Sequence, residues 1–414
     1  MPPSGRKVHV NSSSAPGDAA KFRRLVWALA CSVGVSFGAI LYGTSVLITS
    51  GAAGAEFSLG LLSAGFSGSV LTGAAVAVPV GRYADRHGIR SIVALGGSLV
   101  CLGFLGFAAS TAPWQVLCAW WLLIGPGSAM VLFEPAFVAL QQWFGRERRN
   151  RAAGTLTVLT GLAGPIFIPA TTYATDLLGW RITAALLGLS VLLTASLTVG
   201  WALRGAPAPP GAAAGATVDP SSPSRRVRDK GVPRGFIPLS IAAALTMAVL
   251  EAFNVHRIAR FEASGFDPAV VGWWAAAVGL LSLPARFLLP VLANRFDAAK
   301  LYITLTVLIM PAVWLAVRGT ATWEMHGHFI IFGLLFGAFI PLRAVIMSDW
   351  YSGARFGALM GLQAVAIALG RAAGPAVVGW LAETPVGYSG AVALLSALLV
   401  VTVLLVVTAM VRRG

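Results

Sequence analysis

The sequence predicts an all-α membrane protein, with twelve transmembrane helices in two six-helix pseudo-repeats. Three observations carry this. Charged residues make up 11% of the chain and hydrophobic ones 57%, with a mean hydropathy of +0.80, whereas soluble domains carry about 25% charge. The apolar residues fall into long runs rather than short amphipathic stripes. Landmarks in the first half of the chain recur in the second at a nearly constant offset.

A bilayer core of about 30 Å requires roughly 20 apolar residues per helix. Runs of that order occupy 25–48, 59–79, 91–110, 114–142, 154–175, 182–203, 236–256, 269–293, 301–317, 327–348, 356–381 and 388–410. The first exceeds the roughly 7–15 apolar residues of a signal-peptide core and reads as a retained helix. Pro135, Pro165, Pro169, Pro284 and Pro341 interrupt runs. Such breaks are tolerated where neighbouring helices or water satisfy the freed carbonyls.

Lysine and arginine in short loops set the orientation. With the N-terminus inside, the basic residues of 1–24, the 2–3, 4–5, 6–7, 8–9 and 10–11 loops and the C-terminus all lie on one side, 23 of the 30 in the chain. Arg181, Arg257, Arg260 and Arg318 fall in outside loops, and Arg286, Arg343 and Arg371 fall within spans. Both termini are therefore expected in the cytoplasm of a cell (inner or plasma) membrane. The formal net charge of +15 is then a topology signal facing anionic lipid, and no nucleic-acid partner is expected. Cys31, Cys101 and Cys118 lie in apolar runs without metal-ligand neighbours, so neither a disulfide framework nor a metal site is expected. The chain has no G-x-x-x-x-G-K-[ST] or H-E-x-x-H motif, so no cofactor and no enzymatic activity are expected. A membrane sensor or enzyme on this scaffold is the remote alternative.

Residues 204–234 are rich in Pro, Ala, Gly, Ser and Arg with no apolar period, the composition of a flexible linker. The expected organisation is a cytoplasmic tail (1–24), an N-terminal six-helix half (25–203), the linker (204–234) and a C-terminal half (235–414). Gly81-Arg82-Tyr83-Ala84-Asp85-Arg86 is echoed by Pro290-Val291-Leu292-Ala293-Asn294-Arg295. Gly164-Pro165 recurs as Gly374-Pro375, and Trp143-Phe144 with Arg148 recurs as Trp350-Tyr351 with Arg355. Two parallel six-helix halves with a site between them near the midplane is a transporter plan.

The segment from Gly81 through Asp85, Arg86 and Gly88 to Arg90 has every fixed position of G-x-x-x-D-R-x-G-x-R. It resembles the loop 2–3 signature of the major facilitator superfamily. The resemblance implies that fold, and a segment that holds the two halves together on the cytoplasmic side in the outward-open state. Gly81 and Gly88 would allow close helix approach. Asp85 could cap a neighbouring helix or accept from an arginine, with Arg86 and Arg90 supplying partners.

Within that superfamily the chain resembles the monocarboxylate and oxalate/formate transporter group. The resemblance rests on Glu56-Phe57-Ser58, Trp143-Phe144 with Arg148-Arg149, Gly179-Trp180-Arg181, and Val255-His256 followed by Arg286. Ser282 stands four residues before Arg286, where animal-type carriers have an Asp, and the first span has no ionisable residue. The chain also departs from drug/proton antiporters, with Trp121 four residues before Gly125 and Ile166-Phe167-Ile168-Pro169 after Gly164-Pro165.

A charge at mid-bilayer costs about 2.5–3.5 kcal/mol on insertion scales, so it requires a partner or a wet cavity. Arg286 reads as an anchor for a substrate carboxylate, because guanidinium forms a bidentate fork to a planar anion, or as a structural partner of Glu251 or Glu134. Arg371 either binds anion or pairs with an acid, with Gln363 an alternative span-eleven position. Glu251 and Glu134 are proton-coupling candidates. Tyr42 could donate to a substrate oxygen or simply pack. His256 reads as interfacial, and Arg343 as a helix-end residue that snorkels. Trp120, Trp121, Trp273, Trp274 and Trp323 suit an interfacial aromatic belt. The expected function is secondary transport of a small organic anion, a monocarboxylate or related carboxylate, by alternating access. Protons or a counter-anion would drive it, and a monomer would suffice. Export of a drug or other metabolite on the same fold is the alternative.

Overall fold

A computed structural model describes residues 16–49, 56–204, 206, 231–353, 355–382, 384–385 and 387–413. Most of the tail 1–24 and of the linker 204–234 lies outside these residues. Among the described residues, twelve helices are long and apolar enough to cross a membrane: α1 (Ala20–Ile48), α2 (Leu59–His87), α3 (Arg90–Ala108), α4 (Pro113–Trp143), α5 (Arg146–Leu178), α6 (Trp180–Ala202), α7 (Phe236–Glu262), α8 (Pro268–Leu292), α9 (Ala298–Arg318), α10 (Thr322–Trp350), α11 (Phe356–Ala382) and α12 (Gly390–Arg413). Each coincides with one predicted run. Large apolar side chains such as Trp273, Trp380 and Leu404 are left exposed on the outside, as a lipid-facing surface requires.

Helix ends follow local chemistry. Ser58, Asp267 and Asp297 accept from the free backbone N–H groups that open α2, α8 and α9. At the start of α4, Gln115 Oε1 accepts from the backbone of Thr111 at 2.7 Å and Ala112 at 3.1 Å. At the start of α10, Glu324 Oε2 does the same for Thr320 and Ala321, both at 3.0 Å. The loop 2–3 signature is mostly helix. α2 runs through Asp85 to His87, and Gly88 ends it with φ of 75°, a conformation that suits glycine. Gly88 thus serves the turn rather than a close helix approach.

The halves meet along α2 against α11 and α5 against α8. Small residues set the first crossing: a Cβ on Gly81 would clash with the Gly357 carbonyl, and one on Gly361 with that of Ala77. Helix α5 begins at Arg146, eight residues before the predicted apolar run, because its polar first turns are partnered by the other half. Trp120 departs from the expected belt. It is 1% exposed and packs on Phe104 and Phe107, within a π-helical stretch of α4, Ala119–Ile124.

Candidate functional site

Polar bonds between the halves concentrate at the end of the bundle where α1 begins and α12 finishes. Asp85 accepts from the backbone N–H groups of Gly357 at 2.7 Å and Ala358 at 3.0 Å. It therefore caps α11 and favours the positive end of that helix dipole. Arg86 and Arg90 are exposed and form no ion pair among the described residues, so the hydrogen bonds on Asp85 come from backbone amides. Arg149 pairs with Asp349, Arg146 reaches Asp349 at 3.2 Å and the Ala293 carbonyl at 3.1 Å, and Asn150 donates to Asn294 at 2.8 Å. Asn294 is the repeat counterpart of Asp85 and stands against the first turns of α5 as Asp85 stands against those of α11. At the opposite end the ion pairs among the described residues stay within one half, Glu56 with Arg181 and Arg318 with Glu324. The Arg181 guanidinium and Trp180 indole hold the Glu56 carboxyl below the usual carboxylate range.

Between the halves lies a cavity of about 470 Å³, with walls from α1, α2, α4, α7 and α11. Glu134, Glu251 and Arg371 are its ionisable lining residues. Glu251 meets Arg371 at 2.6 Å, and both remain partly exposed. Glu134 meets Arg343 at 3.4 Å, and Arg343 also donates to Gln363 Oε1 at 3.0 Å. Arg343 is 5% exposed, so it does not snorkel at a helix end. It crosses to the other half, because Glu134 supplies a counter-ion inside the bundle. His256 ties α7 to α11 through the Pro375 carbonyl at 2.8 Å.

Arg286 is 7% exposed and pairs with neither Glu251 nor Glu134. Its Nε donates to Ser282 at 3.0 Å, its Nη1 to the Thr157 carbonyl at 3.4 Å, and its guanidinium lies 5.4 Å from the Phe336 ring centroid. Gly161 and Gly337 make room for it: a Cβ on either would crowd the Arg286 side chain. Tyr42 sits on a π-helical stretch of α1, Gly38–Gly43, a distortion common at functional sites. Gly164 admits its ring, and the hydroxyl is within electrostatic range of Arg286, Glu251, Arg371 and Arg257.

Arg257 belongs in this group and was not legible as such. Its place near the end of an apolar run assigns it to a loop, but α7 continues to Glu262 and buries it to 8% exposure. Among the described residues its Nε and Nη1 have no hydrogen-bond partner, and its guanidinium lies over Phe329 and Phe332 at 5.7 and 5.3 Å. The signal available in the sequence is the four-residue spacing of Phe253, Arg257 and Phe261 on one helix face.

The profile of the Major Facilitator Superfamily matches residues 26–256 and 239–414. The chain belongs to the major facilitator superfamily. It is therefore a multi-pass membrane protein of a transporter family. Among curated relatives, human monocarboxylate transporter 11 is 36% identical over 117 residues, 28% of this chain and 24% of that protein. The match thus spans about a quarter of the human relative. The MFS-type transporter opdF of Penicillium oxalicum is 24% identical over 327 residues, 74% of this chain and 70% of that one. Among solved structures, the human organic anion transporter MFSD10 superposes with a TM-score of 0.72 at 17% identity, covering 95% of this chain and all of that one. The proton:xylose symporter XylE gives 0.71 at 13% identity, covering 93% and 95%. An anion carrier and a sugar carrier fit the fold equally well, so the substrate must be argued from the site.

Proposed function

We propose that this superfamily member is a secondary transporter of a small organic anion. The observation that carries the reading is Arg286. A buried guanidinium is costly without a counter-charge, and the two acidic residues of the cavity are already matched, Glu134 by Arg343 and Glu251 by Arg371. An anionic substrate supplies the missing charge. A carboxylate arriving beside Tyr42 would accept from the phenol and from the Arg286 fork. The matches to a monocarboxylate carrier and an organic anion carrier support the same class.

Alternating access follows from the repeat. The sequence assigns 23 basic residues to the side of the termini, which makes that side the cytoplasm of the cell membrane. Asp85, Gly81 and the Asp349 cluster then close the cytoplasmic end of an outward-facing state. Arg371 sits in the cavity wall, and a substrate carboxylate would compete with Glu251 for it. Protonation of Glu251 or Glu134 would break an ion pair, which gives a route to proton coupling. The two halves form a complete site within one chain, so a monomer suffices.

Uptake of labelled carboxylates into proteoliposomes tests this reading. The wild-type chain is expected to accumulate at least one of lactate, pyruvate, formate, oxalate or succinate. Arg286→Ala should reduce uptake by at least about tenfold, the loss of one charge-assisted bond of roughly 1.5–3 kcal/mol. Undiminished uptake by Arg286→Ala would remove the anchor.

A further inference from the structure

Among the described residues, two buried arginines, not one, lack a carboxylate, and they share an aromatic support. Phe332 and Phe336 of α10 stack with centroids 5.4 Å apart and planes inclined by 10°. The Arg257 guanidinium lies 5.3 Å from the first ring and that of Arg286 lies 5.4 Å from the second. The cations thus lie against successive aromatic rungs of one helix, rungs about 6 Å apart along its axis for a four-residue step. They come from different helices, α7 and α8, and both lie within electrostatic range of the Tyr42 hydroxyl.

The two differ in what they already hold. Arg286 keeps bonds to Ser282 and to the Thr157 carbonyl. Arg257 has two nitrogens with no partner while being more than nine-tenths buried. Ring faces offset part of the desolvation of a cation, by roughly 0.5–2 kcal/mol, but leave its hydrogen-bond donors unfilled. Among the described residues, the acidic groups of the cavity wall, Glu134 and Glu251, are paired with Arg343 and Arg371, and neither Arg257 nor Arg286 is itself a lining residue of that cavity. A site with two unmatched positive charges and one phenol fits two negative charges.

We propose that Arg257 and Arg286 together form a dianion site, so that the substrate is a short dicarboxylate held at one end by each guanidinium. This rests on the organic-anion reading and narrows it. Lactate or formate would fill one arginine and leave the other bare.

The test compares succinate, its half-amide succinamate and lactate on the purified full-length protein at neutral pH, reading the shift in thermal midpoint against ligand concentration. Succinamate keeps the length and one carboxylate and replaces the other with a neutral amide. Wild type is expected to half-saturate with succinate at a concentration at least about tenfold below that for succinamate or lactate. Arg257→Gln should bring the succinate-to-succinamate ratio close to one, and Arg257→Lys, which retains the charge, should restore part of it. Equal responses of wild type to succinate and succinamate would overturn the dianion site and leave the organic-anion reading standing; this comparison requires no variant. A folded Arg257→Gln that keeps the full preference would likewise overturn it. No response to any of the three, together with no carboxylate uptake in proteoliposomes, would overturn the organic-anion reading itself.

Discussion

Glu134 and Arg343 stand 209 residues apart and meet at 3.4 Å in the middle of the bundle. That separation is the repeat offset, so the pair joins equivalent positions of the two halves across their pseudo-symmetry axis. Removing one member of a fully buried pair costs about 3–5 kcal/mol, because the other charge is stranded. Here the Glu134 side chain retains 27% exposure, so Glu134→Gln is expected to cost about 2 kcal/mol. Arg343→Met in the same chain removes the stranded charge, and the double variant should be more stable than Glu134→Gln alone. Thermal melts of the single and double variants in detergent check this. A strictly additive double variant would show that the pair is not coupled. At this scale the sequence was a partial guide. It located Glu134, Glu251, Arg286 and Arg371 inside spans, but partner choice depends on which helix faces which. Arg343 therefore read as an edge residue and Arg257 as a loop residue.

The helices were legible because twenty-residue apolar runs leave few alternatives, and every one has a helix in place. What escaped was polar helix. The first two turns of α5, Arg146 to Ala153, have the composition of a loop, yet they fold because Asp349 and Asn294 of the other half partner Arg149 and Asn150. The segment Gly81–His87 likewise continues α2 instead of forming a loop. A second sign of the repeat also went unread. Thr111-Ala112-Pro113-Trp114-Gln115 and Thr320-Ala321-Thr322-Trp323-Glu324 stand at the same offset and place Gln115 and Glu324 on identical backbone groups. These end contacts can be weighed against each other. Gln115→Ala should cost about 1 kcal/mol, the usual worth of a helix-start contact. Glu324→Ala should cost more, since Glu324 is charged, 1% exposed and also paired with Arg318 at 3.0 Å. Denaturation midpoints of the two variants would rank them, and a smaller loss for Glu324→Ala would contradict the charge argument.

For the whole molecule, the informative feature is where the repeat is broken. Asp85 and Asn294 are counterparts, and each faces the start of a helix in the opposite half. Asp85 places a carboxylate on two backbone amides of α11. Asn294 places a neutral amide against Asn150 of α5, beside Arg146, which already reaches Ala293. Asp85 thus fastens its crossing with a carboxylate whereas its counterpart Asn294 contributes only a neutral bond, and an alternating carrier needs the fastening weak enough to release in every cycle. Asp85→Asn removes a charge-assisted cap worth about 1 kcal/mol and should shift the population toward opening at this end by about fivefold. Asn294→Asp should do the reverse, because its new carboxylate would face Arg146 and the positive end of α5. Both shifts can be read with Ala364→Cys, which places a thiol in the cavity wall, in a chain whose three native cysteines are replaced by serine. Labelling by a membrane-impermeant maleimide from the side of the termini is expected to rise with Asp85→Asn and fall with Asn294→Asp, with substrate exchange slowed in the latter. If Asn294→Asp leaves both labelling and exchange at the level of the parent, the asymmetry between the two crossings does not control the cycle.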